Sequence, residues 1–153
     1  MSYPLSIRSL LPPPWPDLAP LVGESEREGF RFLARLVREL EDGTNRFDAP
    51  GEALLGCYRG AELVAVGGLN RDPYSAEPRV GRLRHIYVSP PLRRRRVGRT
   101  LVDALVAAAR PHFGVLLLRT DTPAAARFYE TLGFAAVALP YATHRMVLGG
   151  AAG

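Results

Sequence analysis

The sequence predicts one domain of the α/β class (α+β by some schemes), with a central mixed, mostly antiparallel sheet of about six or seven strands flanked by helices. Its 153 residues, 47% of them hydrophobic, suffice for one sizeable core but not for two. Short β-rich segments joined by turns fill the first half, whereas strand and helix patterns alternate in the second. We expect the domain to span residues 1–148 and a flexible tail to occupy residues 149–153.

The first half of the chain predicts antiparallel strands and one helix. Leu5–Arg8 is a candidate first strand, and the prolines of residues 12–16 then form a turn. From Ser25 to Leu40 apolar residues recur at three-to-four spacing between charged ones, which predicts a single amphipathic helix. The remaining strands of this half are predicted at 53–58 and 62–69, as a hairpin, and at 83–88.

The second half predicts a β-α-β-α-β succession. Gly98–Arg110 has its apolar residues on one side, as in a helix, and Val115–Leu118 is a continuous apolar strand. Thr122 is a good N-cap for a second helix, which Pro123 can begin and Gly133 can end. The last two strands are predicted at 134–139 and 143–148.

The charge distribution favours a localised anionic ligand. All 20 cationic side chains are Arg, since the sequence contains no Lys, and against 15 acidic residues they give a net charge of +5. Much of the excess lies in the single run Arg93–Arg96, so a phosphate-bearing ligand fits better than long nucleic acid. The absence of Lys excludes a Walker-type nucleotide site, and the glycine fingerprint of a dinucleotide site is also missing.

Cysteine usage and hydropathy indicate a cytoplasmic protein. Cys57 is the only cysteine, which excludes an intrachain disulfide and a Cys-based zinc site. No secretory apolar stretch precedes the prolines, and no apolar run approaches the roughly 18 residues of a membrane span. We therefore expect no metal and no membrane association.

The segment Val88–Leu101 is the strongest candidate for chemistry. It places an Arg-rich turn and Gly98 between the end of a strand and the start of a helix. Free N–H groups at a helix start can bind a pyrophosphate, Arg side chains can hold outer phosphates, and glycine permits a close approach of the backbone. Taken alone, such an Arg run more often forms a solvated cluster.

Two stretches together resemble the GNAT superfamily of acyl-CoA-dependent N-acetyltransferases. Arg93, Arg96 and Gly98 occupy the three fixed positions of its signature Arg/Gln-x-x-Gly-x-Gly/Ala, although Arg96 replaces the usual first Gly. Thr120–Phe134 resembles the family's Asn-x-x-Ala-x-x-φ-Tyr-Glu-x-x-Gly-Phe block (φ apolar), with Thr122 in place of Asn. The two stretches have the family's order and about its spacing.

The resemblance implies acetyl-CoA as cosubstrate, bound along the strand 83–88 and at the turn and helix start that follow. It implies that Tyr129 protonates the leaving thiolate as general acid, a role that an amphipathic core tyrosine would not have. The residues expected to contact the cofactor are Ile86, Tyr87, Val88, Arg93, Arg94, Arg95, Arg96, Val97, Gly98, Arg99, Thr100, Thr122 and Arg127.

The resemblance places the acceptor between the first helices and the loop after residue 69. The residues expected there are Glu24, Glu28, Asn70, Asp72 and Tyr74, which suit the cationic amine of a small molecule, peptide or protein. The general base stays open among His85, Glu24, Glu28, Asp72 and His144; His85 has the pKa class for the task and is our catalytic candidate. A homodimer is the candidate assembly.

Two alternative functions remain from the sequence. A non-catalytic acyl-CoA-binding module would keep the Arg93–Thr100 segment but lack a proton acceptor and an open acceptor cleft. A nucleic-acid-binding protein would fit the pI of about 10.0, but it would spread its cations over a face and interleave aromatic residues among them.

Overall fold

The computed structural model describes residues 4–149, which form seven strands and four α-helices. The strands are β1 (Leu5–Ser9), β2 (Ala53–Arg59), β3 (Glu62–Arg71), β4 (Val80–Val88), β5 (Val115–Leu118), β6 (Ala135–Leu139) and β7 (Ala142–Val147). The helices are α1 (Ala19–Arg27), α2 (Phe32–Asp42), α3 (Val97–Ala109) and α4 (Pro123–Thr131), and a 3₁₀ turn covers Pro90–Leu92.

All seven strands belong to one sheet in the order β1-β2-β3-β4-β5-β7-β6. Neighbouring strands are antiparallel except β4 and β5, which are parallel and are connected through α3. The last strand, β7, lies between β5 and β6. This arrangement confirms the predicted mixed, mostly antiparallel sheet.

Helices cover both faces of the sheet, and each face has its own apolar core. Leu101 and Leu105 of α3 pack on one face together with Tyr129 of α4. Leu33 and Leu36 of α2 pack on the other face, together with residues of α1. The alternation of side chains along a strand explains why one sheet serves two cores.

The prediction of one helix over Ser25–Leu40 is wrong, because the structure has two helices there. The first ends at Arg27 and the second begins at Phe32. Gly29 between them has a φ of 87°, a left-handed conformation that stops a helix and that glycine adopts without steric cost. The apolar residues of the predicted helix begin only at Phe30, after this break, and residues 25–28 are polar, so no apolar periodicity supported the part before Gly29.

The other predicted elements have nearly the observed bounds. The exception is β4, which begins at Val80, three residues before the predicted 83. Gly149 is the last described residue, so residues 150–153 of the predicted tail lie outside the described part of the chain. Within residues 4–149, no helix is both long enough and apolar enough to cross a membrane.

Candidate active site

The two parallel strands in the middle of the sheet separate toward their carboxyl ends. β4 pairs with β5 only over Val80–Arg82, opposite Val115–Leu117, although β4 continues to Val88. Residues 83–88 of β4 and residues 118–122 therefore border an opening, which we name the β4–β5 cleft. An unpaired strand edge inside a sheet offers backbone hydrogen-bonding groups to a ligand.

The amide groups of Val88 point into this cleft. Tyr87 pairs with Val66 of β3, and the N–H of Ser89 donates to the carbonyl of Val64 at 2.9 Å. Adjacent residues of a strand direct their amide groups to opposite sides, so those of Val88 face away from β3. The amide groups of Tyr87 are thus committed to β3, and its buried ring lies on the side of α1 and α2.

The turn after β4 ends in an uncapped helix start. Arg94 and Arg96 both have a φ of 65°, and Arg96 is the N-cap of α3 without a side-chain hydrogen bond to the helix. The N–H groups of Val97, Gly98 and Arg99 precede the first intrahelical bond, which Thr100 makes to Arg96 at 2.9 Å. Such amides, together with a left-handed turn, form a concave site for an anion.

Gly98 lies where this turn, the strand end and α4 meet. A Cβ atom at this position would lie 3.1 Å from Cζ of Phe128 and 3.5 Å from a methyl group of Val88. Glycine therefore permits close packing of α3 between β4 and α4, in addition to any approach of a phosphate to the backbone.

Arg93 points away from the helix start and toward α1. Its guanidinium binds both carboxylate oxygens of Glu28, at 2.6 and 2.8 Å, and its Nε donates to the carbonyl of Val88 at 3.0 Å. Hydrogen bonds from Arg93 lower the pKa of Glu28 against the opposing effect of burial, and the Tyr87 hydroxyl adds to the lowering. The structure thus joins one expected cofactor residue and one expected acceptor residue to each other.

The other polar residues expected at the cofactor have mixed positions. The side chains of Arg94, Arg95, Arg96 and Arg127 are exposed, and that of Arg99 is exposed beside Asp103 at 3.9 Å. The hydroxyls of Thr100 and Thr122 already have local partners, since Thr100 donates to the Arg96 carbonyl and Thr122 caps α4. Only the exposed arginines are therefore free to move onto an outer phosphate.

Tyr129 is buried in α4, between Phe128 and Phe134. The ring centroids lie 5.0 and 5.7 Å from its own, both in edge-to-face contact. Burial raises the pKa of Tyr129 above its ordinary value, with no hydrogen bond contributing. The phenol consequently stays protonated at neutral pH and has its donor available.

His85 lies in an irregular part of β4. The pairing with β3 shifts by one residue between Tyr87 and Arg84, and His85 has a φ of 59° in this bulge. The ring is buried between Phe32 and Phe47, at 6.5 and 6.1 Å, and neither of its nitrogens has a hydrogen-bond partner within residues 4–149. Burial lowers its pKa to about 4, and the positive charges of Arg84 and Arg35 also act to lower it. The backbone of Phe32 acts in the opposite direction and raises the pKa.

The two carboxylates expected at the acceptor side of α1 differ in their partners. Glu28 has Arg93 and also accepts from the Tyr87 hydroxyl at 2.5 Å. Glu24 accepts one hydrogen bond, from the Ser89 hydroxyl at 2.9 Å, while its Oε1 is enclosed and has no partner within the described residues. Only Glu24 thus keeps an uncompensated oxygen.

Three expected acceptor residues lie farther along the sheet. Asn70 and Asp72 are buried, and Asp72 is paired with Arg82 at 2.8 Å. Asn70 bonds to Asn45 and Glu52, and Tyr74 is exposed and stacks on Tyr141 at 4.2 Å. Since Asn70 pairs with Arg82 at the other end of β4, the five residues do not form one cluster.

His144, a further candidate base, has both ring nitrogens engaged. Nε2 lies 2.9 Å from a Glu130 oxygen and Nδ1 lies 3.0 Å from the Thr143 hydroxyl. Asp72 is likewise bound to Arg82. Of the five candidates, Glu24 and His85 therefore have unpartnered atoms.

Two cavities lie away from the cleft. One, of about 500 Å³, is lined by residues of α1, α2 and the segment before them, including Trp15 and Val37. The other, of about 340 Å³, is lined by residues that include Arg71 and His112. Within residues 4–149, no group of three or more His, Cys, Asp or Glu side chains could hold a metal ion.

Comparison with known families decides the identity of this fold. The model of the acetyltransferase (GNAT) family matches residues 6–134. The chain belongs to the GNAT acetyltransferase family. It is therefore an acyl-CoA-dependent N-acetyltransferase that uses acetyl-CoA.

Solved structures agree with this membership. A candidate acetyltransferase from Exiguobacterium sp. 255-15 has a TM-score of 0.84 and 27% identity, over 94% of this chain and 93% of that one. The ribosomal-protein-S18-alanine N-acetyltransferase of Escherichia coli has the same fold, with a TM-score of 0.68, 18% identity and 96% of each chain covered. So does a Salmonella typhimurium structure containing acetyl-CoA, with a TM-score of 0.64 and 15% identity, over 97% of this chain and 96% of that one. No curated protein sequence matches the chain.

Several residues around this GNAT site were not found from the sequence. Ser89 holds Glu24, Arg82 neutralises Asp72, and Tyr141 stacks on Tyr74. These partners are distant in the chain, and no local pattern marks them. The bulge at His85 also has no sequence signal, because the segment has the composition of a regular strand.

Proposed function

We propose that this acetyltransferase transfers an acetyl group to a primary amine by direct attack in a ternary complex, with the reaction centred at the β4–β5 cleft. The observation that carries the proposal is the junction of an unpaired strand edge with an uncapped helix start. The N–H of Val88 faces the cleft, and the free amides of α3 begin nine residues later, at Val97. An elongated ligand with a pyrophosphate near one end fits such a site.

The backbone contributes most of the cofactor binding in this proposal. The amides of Val97, Gly98 and Arg99 would bind the pyrophosphate, with the N-terminal charge of α3 in support. The exposed side chains of Arg94, Arg95 and Arg96 would hold outer phosphates. Acetyl-CoA supplies an activated acetyl thioester when bound.

The N–H of Val88, with that of Ile86, would polarise the thioester carbonyl. A donor aimed at a developing oxyanion commonly contributes a few kcal/mol to catalysis, about 100-fold in rate. The side chains of Ile86 and Val88 face the core on the α3 side, so they leave the cleft edge to their backbone.

Tyr129 would donate a hydrogen bond to the sulfur of the departing thiolate. Its raised pKa keeps it protonated, but transfer to a thiolate whose ordinary pKa is about 8.5 is uphill. We therefore assign Tyr129 a hydrogen bond that stabilises the departing thiolate, with net protonation following from solvent.

The acceptor amine would bind on the α1 side of β4. The enclosed Oε1 of Glu24 is an uncompensated hydrogen-bond acceptor, which a primary ammonium of a small molecule, peptide or protein satisfies. His85 remains neutral at physiological pH and can accept a hydrogen bond from the amine. The lowered pKa of His85 makes it a weak base. We assign Glu24 to receive the ammonium proton because its Oε1 is enclosed and has no partner within the described residues.

The setting proposed for this reaction is the cytoplasm, without nucleic acid or metal, and the assembly proposed is a homodimer. The compartment agrees with the lack of a membrane-crossing helix in residues 4–149. The enzyme has no Lys of its own to acetylate.

An acceptor screen tests this proposal. Free thiol release and product mass would be measured with acetyl-CoA and a panel of aliphatic amines, aminoglycosides and peptides with a free N-terminus or a single Lys. We expect acetylated amine, and a higher KM for that amine in Glu24→Gln than in Glu26→Gln, an exposed carboxylate on the same helix. An enzyme that binds acetyl-CoA but acetylates no primary amine, or a KM equal in both variants, would contradict the assignment.

A further inference from the structure

Three groups at the end of β4 and in the turn that follows it are held by Glu24 of α1 and by Glu28, the residue that caps the C-terminal end of this helix. Glu24 binds the Ser89 hydroxyl, and Glu28 binds the Tyr87 hydroxyl and the Arg93 guanidinium. Glu24 and Glu28 are four residues apart, so they lie on one side of the helix end. These contacts fasten the C-terminal end of α1 to the strand end that borders the cleft.

Arg93 is the centre of this junction. Besides its two bonds to Glu28, its guanidinium lies 5.3 Å from the centroid of the Tyr87 ring. Its Nε binds the Val88 carbonyl. The guanidinium donates three of its five N–H groups to Glu28 and to the Val88 carbonyl, so a phosphate bound in the bidentate position would compete with Glu28.

The contact with Val88 links this junction to the reaction. Both amide groups of Val88 face the β4–β5 cleft, where its N–H is proposed to meet the thioester carbonyl. Arg93 occupies the carbonyl and leaves the N–H available. The bond also fixes the orientation of the peptide plane after Val88, because Arg93 is itself anchored at Glu28.

We propose that Arg93 is a positioning residue, and that the Glu28–Arg93 pair orients the end of β4 for acetyl-CoA instead of binding its phosphates. Glu28 accordingly serves the cofactor side through Arg93 and does not contact the acceptor. This inference rests on the proposed cofactor site and changes the role of the first residue of the Arg93–Gly98 motif.

The two roles predict different effects of neutralising Glu28. If Arg93 positions Val88, Glu28→Gln and Arg93→Gln break the same pair, so both weaken CoA binding and the double variant is no worse than either single one. If Arg93 instead holds a phosphate, Glu28→Gln removes a competing carboxylate and leaves CoA binding unchanged or tighter.

The experiment is calorimetric titration of CoA into the wild type, both single variants, the double variant and Glu26→Gln as control. Proton–nitrogen spectra of the labelled proteins would follow the CoA-induced change at the Val88 amide. A partly exposed pair predicts a loss of about fivefold in each single variant and in the double variant. The Val88 change should shrink in all three, and Glu26→Gln should match the wild type.

Two results would overturn the inference. Weaker binding in Arg93→Gln with unchanged or tighter binding in Glu28→Gln would make Arg93 a phosphate ligand. Wild-type CoA affinity and an unaltered Val88 change in all variants would show that the pair does not position this strand end. Absence of CoA binding by the wild type would refute the proposed cofactor site itself, which distinguishes that failure from these two.

Discussion

The burial of His85 makes a specific prediction about stability in acid. The folded protein holds this ring with a pKa of about 4, whereas its ordinary value is 6.5. Between these two values the unfolded chain binds a proton that the folded protein does not. The free energy of unfolding therefore falls as the pH drops through this window, and the contribution of His85 is fully present only above it.

The size of this effect follows from the two values. A difference of about 2.5 pH units at ~1.4 kcal/mol per unit predicts a loss of about 3 kcal/mol near pH 4. That is a large fraction of the roughly 5–15 kcal/mol that stabilises an ordinary domain. Because the ring is buried between Phe32 and Phe47, solvent screens this effect only weakly.

The assay is urea unfolding of the wild type and His85→Asn at about pH 7 and about pH 4. Asn suits the φ of 59° at this position and does not titrate. Carboxylates such as Glu28 also weaken the fold in acid, so the difference between the two proteins isolates His85. We expect His85→Asn to lose about 3 kcal/mol less than the wild type on acidification. Equal losses in the two proteins would refute the reasoning, and exposed His112→Asn is the control.

Three further substitutions have defined outcomes. Tyr129→Phe should lower turnover by about 100-fold or more without changing CoA affinity or stability, because its hydroxyl makes no hydrogen bond within residues 4–149. Unchanged turnover would remove Tyr129 from its role. Gly98→Val should weaken CoA binding in calorimetry and lower the free energy of unfolding in urea by about 1–3 kcal/mol, because the introduced side chain meets Phe128. Unaltered CoA affinity would count against the helix-start site. Asp72→Ala should lower the free energy of unfolding by about 3–5 kcal/mol, because it leaves Arg82 charged and buried. A loss below about 1 kcal/mol in urea unfolding would show that Arg82 finds water or another partner.

The sequence predicted the sheet and the second half of the fold well, because those signals are local. Thr122 does cap α4, with its hydroxyl accepting from the Ala125 amide, and Val115–Leu118 has the predicted bounds. The break at Gly29 was missed because the helix was predicted from Ser25, although its apolar spacing begins only at Phe30 and residues 25–28 are polar.

The candidate site was predictable only where a motif marks it. The Arg93–Gly98 turn was found in this way, but the partner of Arg93 lies 65 residues earlier at Glu28. The side chain of Arg96 is exposed, and its left-handed backbone explains why a glycine is typical at this position. Which carboxylates stay uncompensated depends on contacts between distant elements, and no spacing rule reports those.

Acetyl-CoA binding at the β4–β5 cleft underlies every role proposed for the residues of this enzyme. The decisive measurement is calorimetric titration of acetyl-CoA in moderate salt, with ADP and duplex DNA as controls, repeated on Gly98→Val. We predict saturable binding that prefers acetyl-CoA to both controls and that weakens in the variant. No binding, or equal binding to duplex DNA, would contradict the account and favour a general polyanion surface formed by the exposed arginines.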